Sequence, residues 1–228
     1  MHPEIVVDRV LPDRPDLLLG VDPRRIFVWK APGLPVFPPH ADAEGDCLLR
    51  AVLARWPERA AGWPDGFGGG IAHRLDTATS GLVVLARAIG DLAAIRAEFA
   101  DGRLRKYYLF RSSGIGSDQL VETPIAHHVH RSDRMVLARP TGRTKHRGRW
   151  YPAWTRFRAL GGGWWEAEMR TGVMHQIRAH AASIGIPLDG DPLYGGVEGV
   201  RVLHASRIEG PDWTSPSAPL PMGVGSPP

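Results

Sequence analysis

Apolar positions along this chain fall into short runs with two different periods. Ile26-Phe27-Val28-Trp29-Lys30 predicts a buried strand, ended by the turn-forming Ala31-Pro32-Gly33. Leu48, Leu49, Val52, Leu53 and Trp56 recur at helical spacing, with Asp46 as N-cap and Pro57 as stop. The glycine-rich stretch that follows, 62–70, predicts a flexible loop, and it lacks the Lys-Ser/Thr ending of a phosphate-binding loop. Gly81 to Arg87 predicts a second strand through its β-branched content, and Asp91 to Asp101 a helix closed by Gly102.

Arg105 to Arg111 alternates, placing Tyr108 and Phe110 on one face of a strand and Tyr107 and Leu109 on the other. Trp154 to Leu160 and Trp164 to Met169 predict further strands. Met174 to Ile184 predicts a short helix with Thr171 as cap and Gly185 at its end. Strands in runs, broken by isolated helices, predict an α+β fold. Residues 1–25 are punctuated by proline and aspartate and are expected to form an N-terminal extension. Residues 26–210 are expected to form one domain. From Pro211 onward, six prolines in eighteen residues without Lys or Arg predict a loosely ordered tail or an edge wrap.

Composition narrows the picture. With 228 residues, 43% hydrophobic and 23% charged, the chain can bury one sizeable core. Net charge is only +4, but its distribution is uneven. Between Arg131 and Arg149 seven Lys or Arg side chains face one acid, Asp133. Such an excess can neutralise phosphates, or it can simply be a solvated face. The single cysteine, Cys47, excludes an intramolecular disulfide and a cysteine-rich zinc site, and it reads as a small buried hydrophobe. No apolar run reaches the ~20 residues of a membrane helix, and the N-terminus lacks signal-peptide form. A cytoplasmic protein without membrane contact is the expectation.

Three blocks carry candidate chemistry. His73-Arg74-Leu75-Asp76 runs into Thr77-Ala78-Thr79-Ser80-Gly81, placing a carboxylate beside an arginine at the mouth of an apolar strand. Lys106-Tyr107-Tyr108 sets two phenols behind a lysine. Thr171-Gly172-Val173-Met174-His175-Gln176-Ile177-Arg178 offers a remote arginine. Each has a plainer explanation: Asp76 as a turn aspartate, Tyr108 as a core tyrosine, Arg178 as a surface helix cation. Thr77, Thr79 and Ser80 are expected to bond the loop backbone.

In order and spacing these blocks resemble the RluA family of RNA pseudouridine synthases. Trp29-Lys30-Ala31-Pro32-Gly33, Gly190-Asp191-Pro192-Leu193-Tyr194-Gly195 and Leu203-His204-Ala205 add to the likeness, which spans about Arg25 to Arg207. The resemblance implies a mixed, mainly antiparallel sheet with flanking helices and a central catalytic cleft. It implies isomerisation of uridine to pseudouridine in structured ribosomal or transfer RNA, without cofactor or metal. Asp76 would be the nucleophile, Tyr108 the active-site tyrosine and Arg178 the partner of the carboxylate. Arg74 and His73, with Lys106, His175 and Gln176, would contact RNA. Attack at the anomeric carbon and deprotonation of its neighbour both remain open as routes.

The chain also departs from the family pattern. Val173-Met174 stands where relatives carry Arg-Thr, removing a cation and a hydroxyl. That change keeps open a rival role as an RNA-binding protein with little catalysis. The sequence has no room before Ile26 for a small RNA-binding domain, so Arg143, Lys145 and Arg147 become the expected RNA surface. His127, His128, His130 and His146 could ligate a metal, but their spacing matches no common site. A monomer is expected.

Overall fold

The computed structural model describes residues 18–40, 44–141 and 143–228. In chain order the strands begin with β1 (Leu18–Val21), β2 (Arg25–Lys30), β3 (Ser80–Ala86), β4 (Arg105–Arg111), β5 (Gln119–Val121) and β6 (Ile125–His128). They continue with β7 (Met135–Leu137), β8 (His146–Tyr151), β9 (Thr155–Gly161), β10 (Trp164–Met169) and β11 (Leu203–Glu209). The helices are α1 (Leu48–Arg55), α2 (Ile89–Ala100) and α3 (Gln176–Ser183). This is an α+β chain in which β3 pairs in parallel with β11, while β1–β2, β2–β3, β4–β10, β10–β9, β9–β5, β6–β7 and β6–β8 are antiparallel pairs.

Contacts divide it into two compact units, residues 1–104 with 204–224 and residues 105–203 with 225–228. In the first, β1, β2 and β3 are successive antiparallel neighbours, and β11 joins β3 in parallel through His204↔Ser80 and Ala205↔Gly81. Every residue of β2 and β3 is buried, as expected of strands covered on both faces. Gly81 is required at the crossing: with φ +112, a Cβ there would lie 2.2 Å from the Ala205 carbonyl oxygen. Phe27, Leu82, Val84, Leu92 and Ile95 build the core against α2.

The proline-rich end contributes to that core. Trp213 and Ala218 are buried in it, and Ser215 and Ala218 return N–H bonds to the carbonyls of Ile208 and Ser206. Arg25, itself buried, lies over the Trp213 ring at 4.1 Å and pairs with Asp22 and with both oxygens of Glu98. Residues 211–219 therefore wrap the first unit rather than trailing as a loose tail. Of the expected N-terminal extension, residues 1–17 lie outside the described residues, while β1 pairs with β2.

Two cap assignments change. Helix α1 begins after Cys47, not Asp46, with no side-chain cap. Its first donors are met by backbone instead, Leu48 N–H by the Pro35 carbonyl and Leu49 N–H by that of Val36. The glycine-rich loop is also tighter than expected. Gly68–Gly70 forms a 3-10 turn whose Gly69 and Gly70 are buried. Gly69 and Gly70 stand at φ +64° and +77°, and a Cβ on Gly69 would lie 3.1 Å from Val52, so left-handed backbone and small size together explain these glycines.

In the second unit, β4, β10, β9 and β5 form an antiparallel run with Phe110, Phe157 and Trp165 packed in its core. A separate three-stranded sheet, β7-β6-β8, gathers Ile125, Met135 and Ala153. Periodicity does not announce this sheet, because β6 and β7 are only four and three residues long and β8 is dominated by His and Arg.

Candidate active site

Asp76 sits half-buried on the loop entering β3, between buried Leu75 and exposed Thr77. The loop is tied down from several sides. Thr79 N–H bonds to the Asp76 carbonyl at 2.9 Å, and Gly33 N–H to the Thr77 carbonyl at 2.9 Å. Lys30, fully buried at the end of β2, donates its ammonium to the carbonyls of Ala31, Leu34 and Thr77 at 2.9, 2.6 and 3.1 Å. Burial lowers the Lys30 pKa to about 8, against the opposing attraction of the Asp76 carboxylate. Ser80 reaches His204 at 2.9 Å, fixing the far end. In the sequence Lys30 is only one residue of a family-like stretch; its burial next to an acidic loop is invisible there.

His73 has a structural task. Its Nε2 accepts the Val84 N–H at 3.1 Å and its ring lies 4.5 Å from that of Phe99. Together with Ala72 N–H on the Val84 carbonyl, this zips the loop onto β3. Arg74, by contrast, is exposed.

In the second unit Tyr108 lies buried on β4 opposite Ala167 of β10. Lys106 shares its face and is also buried, with Nζ donating to the Thr171 carbonyl at 2.8 Å. Burial lowers its pKa to about 8. Thr171 is not the cap of α3. It instead donates to the Gln176 side-chain carbonyl at 2.8 Å, which also accepts Val173 N–H, and Gln176 Nε2 donates to Trp154 and Thr155. Lys106, Thr171 and Gln176 are thus joined as a strut, and the Gln176 amide is buried and engaged within the protein.

Helix α3 starts after His175, the one non-glycine among the described residues with positive φ, at 54°. Left-handed backbone is costly for a side chain and persists where surroundings hold it. Here the imidazole Nδ1 lies 3.2 Å from the Tyr194 hydroxyl, which accepts Met135 N–H at 2.9 Å. Arg178 pairs side-on with buried Asp191, through Nε at 2.5 Å and Nη2 at 2.7 Å, and lies 4.9 Å over the Tyr194 ring. Arg201 adds a longer contact to Asp191 at 3.6 Å. Asp191 and Tyr194 stand in a turn that resembles the family's, and nothing local marks them as the holders of Arg178 and His175.

Val173 and Met174 pack against Ile125, Met135 and Ala153, so the departure from Arg-Thr belongs to an apolar contact with the small sheet. Arg143, Lys145 and Arg147 are exposed, the last on β8 opposite His127. His128 pairs with His146, whose ring lies 4.3 Å from that of Trp150. Among the described residues no three His, Cys, Asp or Glu side chains gather as a metal site. No helix among them is long and apolar enough to cross a membrane.

Residues 26–183 match the family of RNA pseudouridylate synthases, a span holding Asp76, Tyr108 and Arg178. The chain belongs to this family. It is 34% identical over 184 residues to ribosomal large subunit pseudouridine synthase D of Nitrosomonas europaea, covering 78% of this chain and 49% of the relative. It is 35% identical over 189 residues to the protein of that name from Xanthomonas campestris, covering 81% and 53%. The chain thus spans about half the length of these curated relatives. The fold matches human RNA pseudouridylate synthase domain containing 4 with a TM-score of 0.71 at 20% identity, covering 90% of this chain and 88% of that one.

Proposed function

We propose that this chain isomerises specific uridines to pseudouridine in structured RNA, with Asp76 as nucleophile. The observation that carries the reading is the Asp76 loop: a half-exposed carboxylate on backbone immobilised by the buried Lys30, in a member of this family. A positioned carboxylate can divide substitution at a sugar carbon into two easier steps. Asp76 acts at the ribose, either attacking the anomeric carbon as the bond to the uracil nitrogen breaks, or removing the neighbouring proton. The freed uracil turns, and its ring carbon bonds to the anomeric carbon as the Asp76 ester bond breaks or, on the second route, as the abstracted proton returns to the ribose. The former glycosidic nitrogen takes up a proton, and that ring carbon's own proton then leaves. Tyr108 stacks on the base beside this proton. Arg178, whose guanidinium Asp191 orients, is the cation that this reading assigns to the nucleophile. No step needs a cofactor or a metal.

Among the residues expected to touch RNA, Arg74, Arg143, Lys145 and Arg147 supply exposed cations for phosphates. Lys106, Gln176 and His73 act from beneath as positioning residues, and His175 as part of the Arg178 frame. Ribosomal RNA is the first substrate to test, since the relatives' names specify the large ribosomal subunit, and transfer RNA the second. The protein works as a monomer in the cytoplasm. The test incubates unmodified large-subunit ribosomal RNA and transfer RNA transcripts separately with the protein, then digests them to nucleosides for chromatography. Pseudouridine is expected in the ribosomal pool; its absence from both pools would refute the reading.

A further inference from the structure

A cleft of about 610 Å³ opens in the first unit beside the Asp76 loop. Its described walls include Phe37, Leu49, Trp63, Phe67 and the His73-Arg74 pair. Apart from His73 and Arg74, its walls carry no motif and no role in the proposed chemistry. The rings are held in place from outside the cleft. Arg59 is buried, donates to the carbonyls of Gly69 and Ala86, and lies 4.7 Å over Trp63. Arg96 lies 3.9 Å over Phe67. Gly70 completes the support, because a Cβ there would stand 2.5 Å from Arg59 and 2.7 Å from Trp63. The tight glycine turn thus serves to seat an aromatic wall.

We infer that this cleft receives an unpaired nucleobase of the substrate strand next to the target uridine. The inference rests on the proposed RNA activity. Four observations select this occupant. Aromatic faces accept any base by stacking, and single-stranded RNA is commonly read in this way. The exposed Arg74 on the rim supplies a cation for the accompanying phosphate. Asp76 follows Arg74 by two residues, roughly 7 Å of chain at most, so an occupant of the cleft lies a short step from the reacting nucleoside. A volume of this size suits a base and its sugar. Extruding the target leaves its neighbour unstacked, and the cleft would offset part of that loss.

The probe is a single-stranded decamer of cytidines with one uridine and 2-aminopurine placed on its 5′ or its 3′ side. Stacking on an aromatic ring quenches 2-aminopurine fluorescence. Binding is expected to quench the probe in one of the two positions. Phe37→Ala and Trp63→Leu are each expected to remove the quench and weaken binding about tenfold. Phe37 stands outside the buried core cluster, so Phe37→Ala keeps the test valid if Trp63→Leu fails to fold. An unquenched probe in both positions, or equal quenching by a folded Phe37→Ala variant, would overturn the inference. Pseudouridine formation by the native protein is scored separately: product without quenching sinks the cleft alone, and quenching without product sinks the activity alone.

Discussion

Arg178 and Asp191 form the most demanding contact in the second unit. Both side chains are almost wholly out of water, and their pairing is two-pronged. Removing one member of such a pair strands the other charge, which costs about 3–5 kcal/mol. Asp191→Ala is therefore expected to lower unfolding stability by about that amount in urea titration. It is also expected to depress turnover in whatever protein remains folded. Lys30 gives a prediction with a sign. Its folded pKa, about 8, lies below the ordinary lysine value of 10.5, so the unfolded chain holds more protons between these values. The Lys30 share of stability is complete above about pH 10.5 and is lost as pH falls through about 8. Urea midpoints at about pH 8 and pH 10 should show the native protein gaining on Lys30→Met as pH rises. A constant difference would contradict the burial argument. Residue roles were unevenly legible: Asp76 and Arg178 stand in motifs, whereas Asp191, Tyr194 and Lys30 act through burial and distant partners that spacing does not encode.

Among the elements, periodicity identified what is regular. Strands β2, β3, β4, β9 and β10 and helix α2 lie where apolar runs or alternation place them. The exceptions share a cause, which is that contacts from elsewhere replaced the local signal. Backbone carbonyls cap α1 in place of Asp46, and the strut through Gln176 delays α3 past Thr171 to a left-handed His175. Glycines at 68–70 read as flexible, yet they allow close packing against α1 and Trp63. The Val173-Met174 pair makes the same point. Its packing on Ile125 and Met135 ties the loop before α3 to the small sheet. Restoring the family pattern with Val173→Arg and Met174→Thr together is expected to cost roughly 1–3 kcal/mol in chemical denaturation. An unchanged midpoint would mean that the apolar contact contributes nothing.

For the molecule as a whole, RNA affinity depends on where charge lies rather than on its sum. A net +4 is modest, but Arg143, Lys145 and Arg147 are exposed together on or beside β8. Reversing Arg143 and Arg147 to Glu should weaken RNA binding and reduce the salt slope by about one for each phosphate no longer neutralised. Affinity and slope unchanged from the native protein would place the RNA surface elsewhere. The central claim is the isomerisation itself, and it is tested most directly by tritium release. Ribosomal RNA carrying uridine tritiated at the ring carbon that becomes glycosidic is incubated with native protein and with Asp76→Asn. The account predicts stoichiometric release by the native protein and none by a variant that is folded and still binds RNA. Equal release by both would remove Asp76 from the chemistry, and no release by either, from ribosomal or transfer RNA, would contradict the assignment of function.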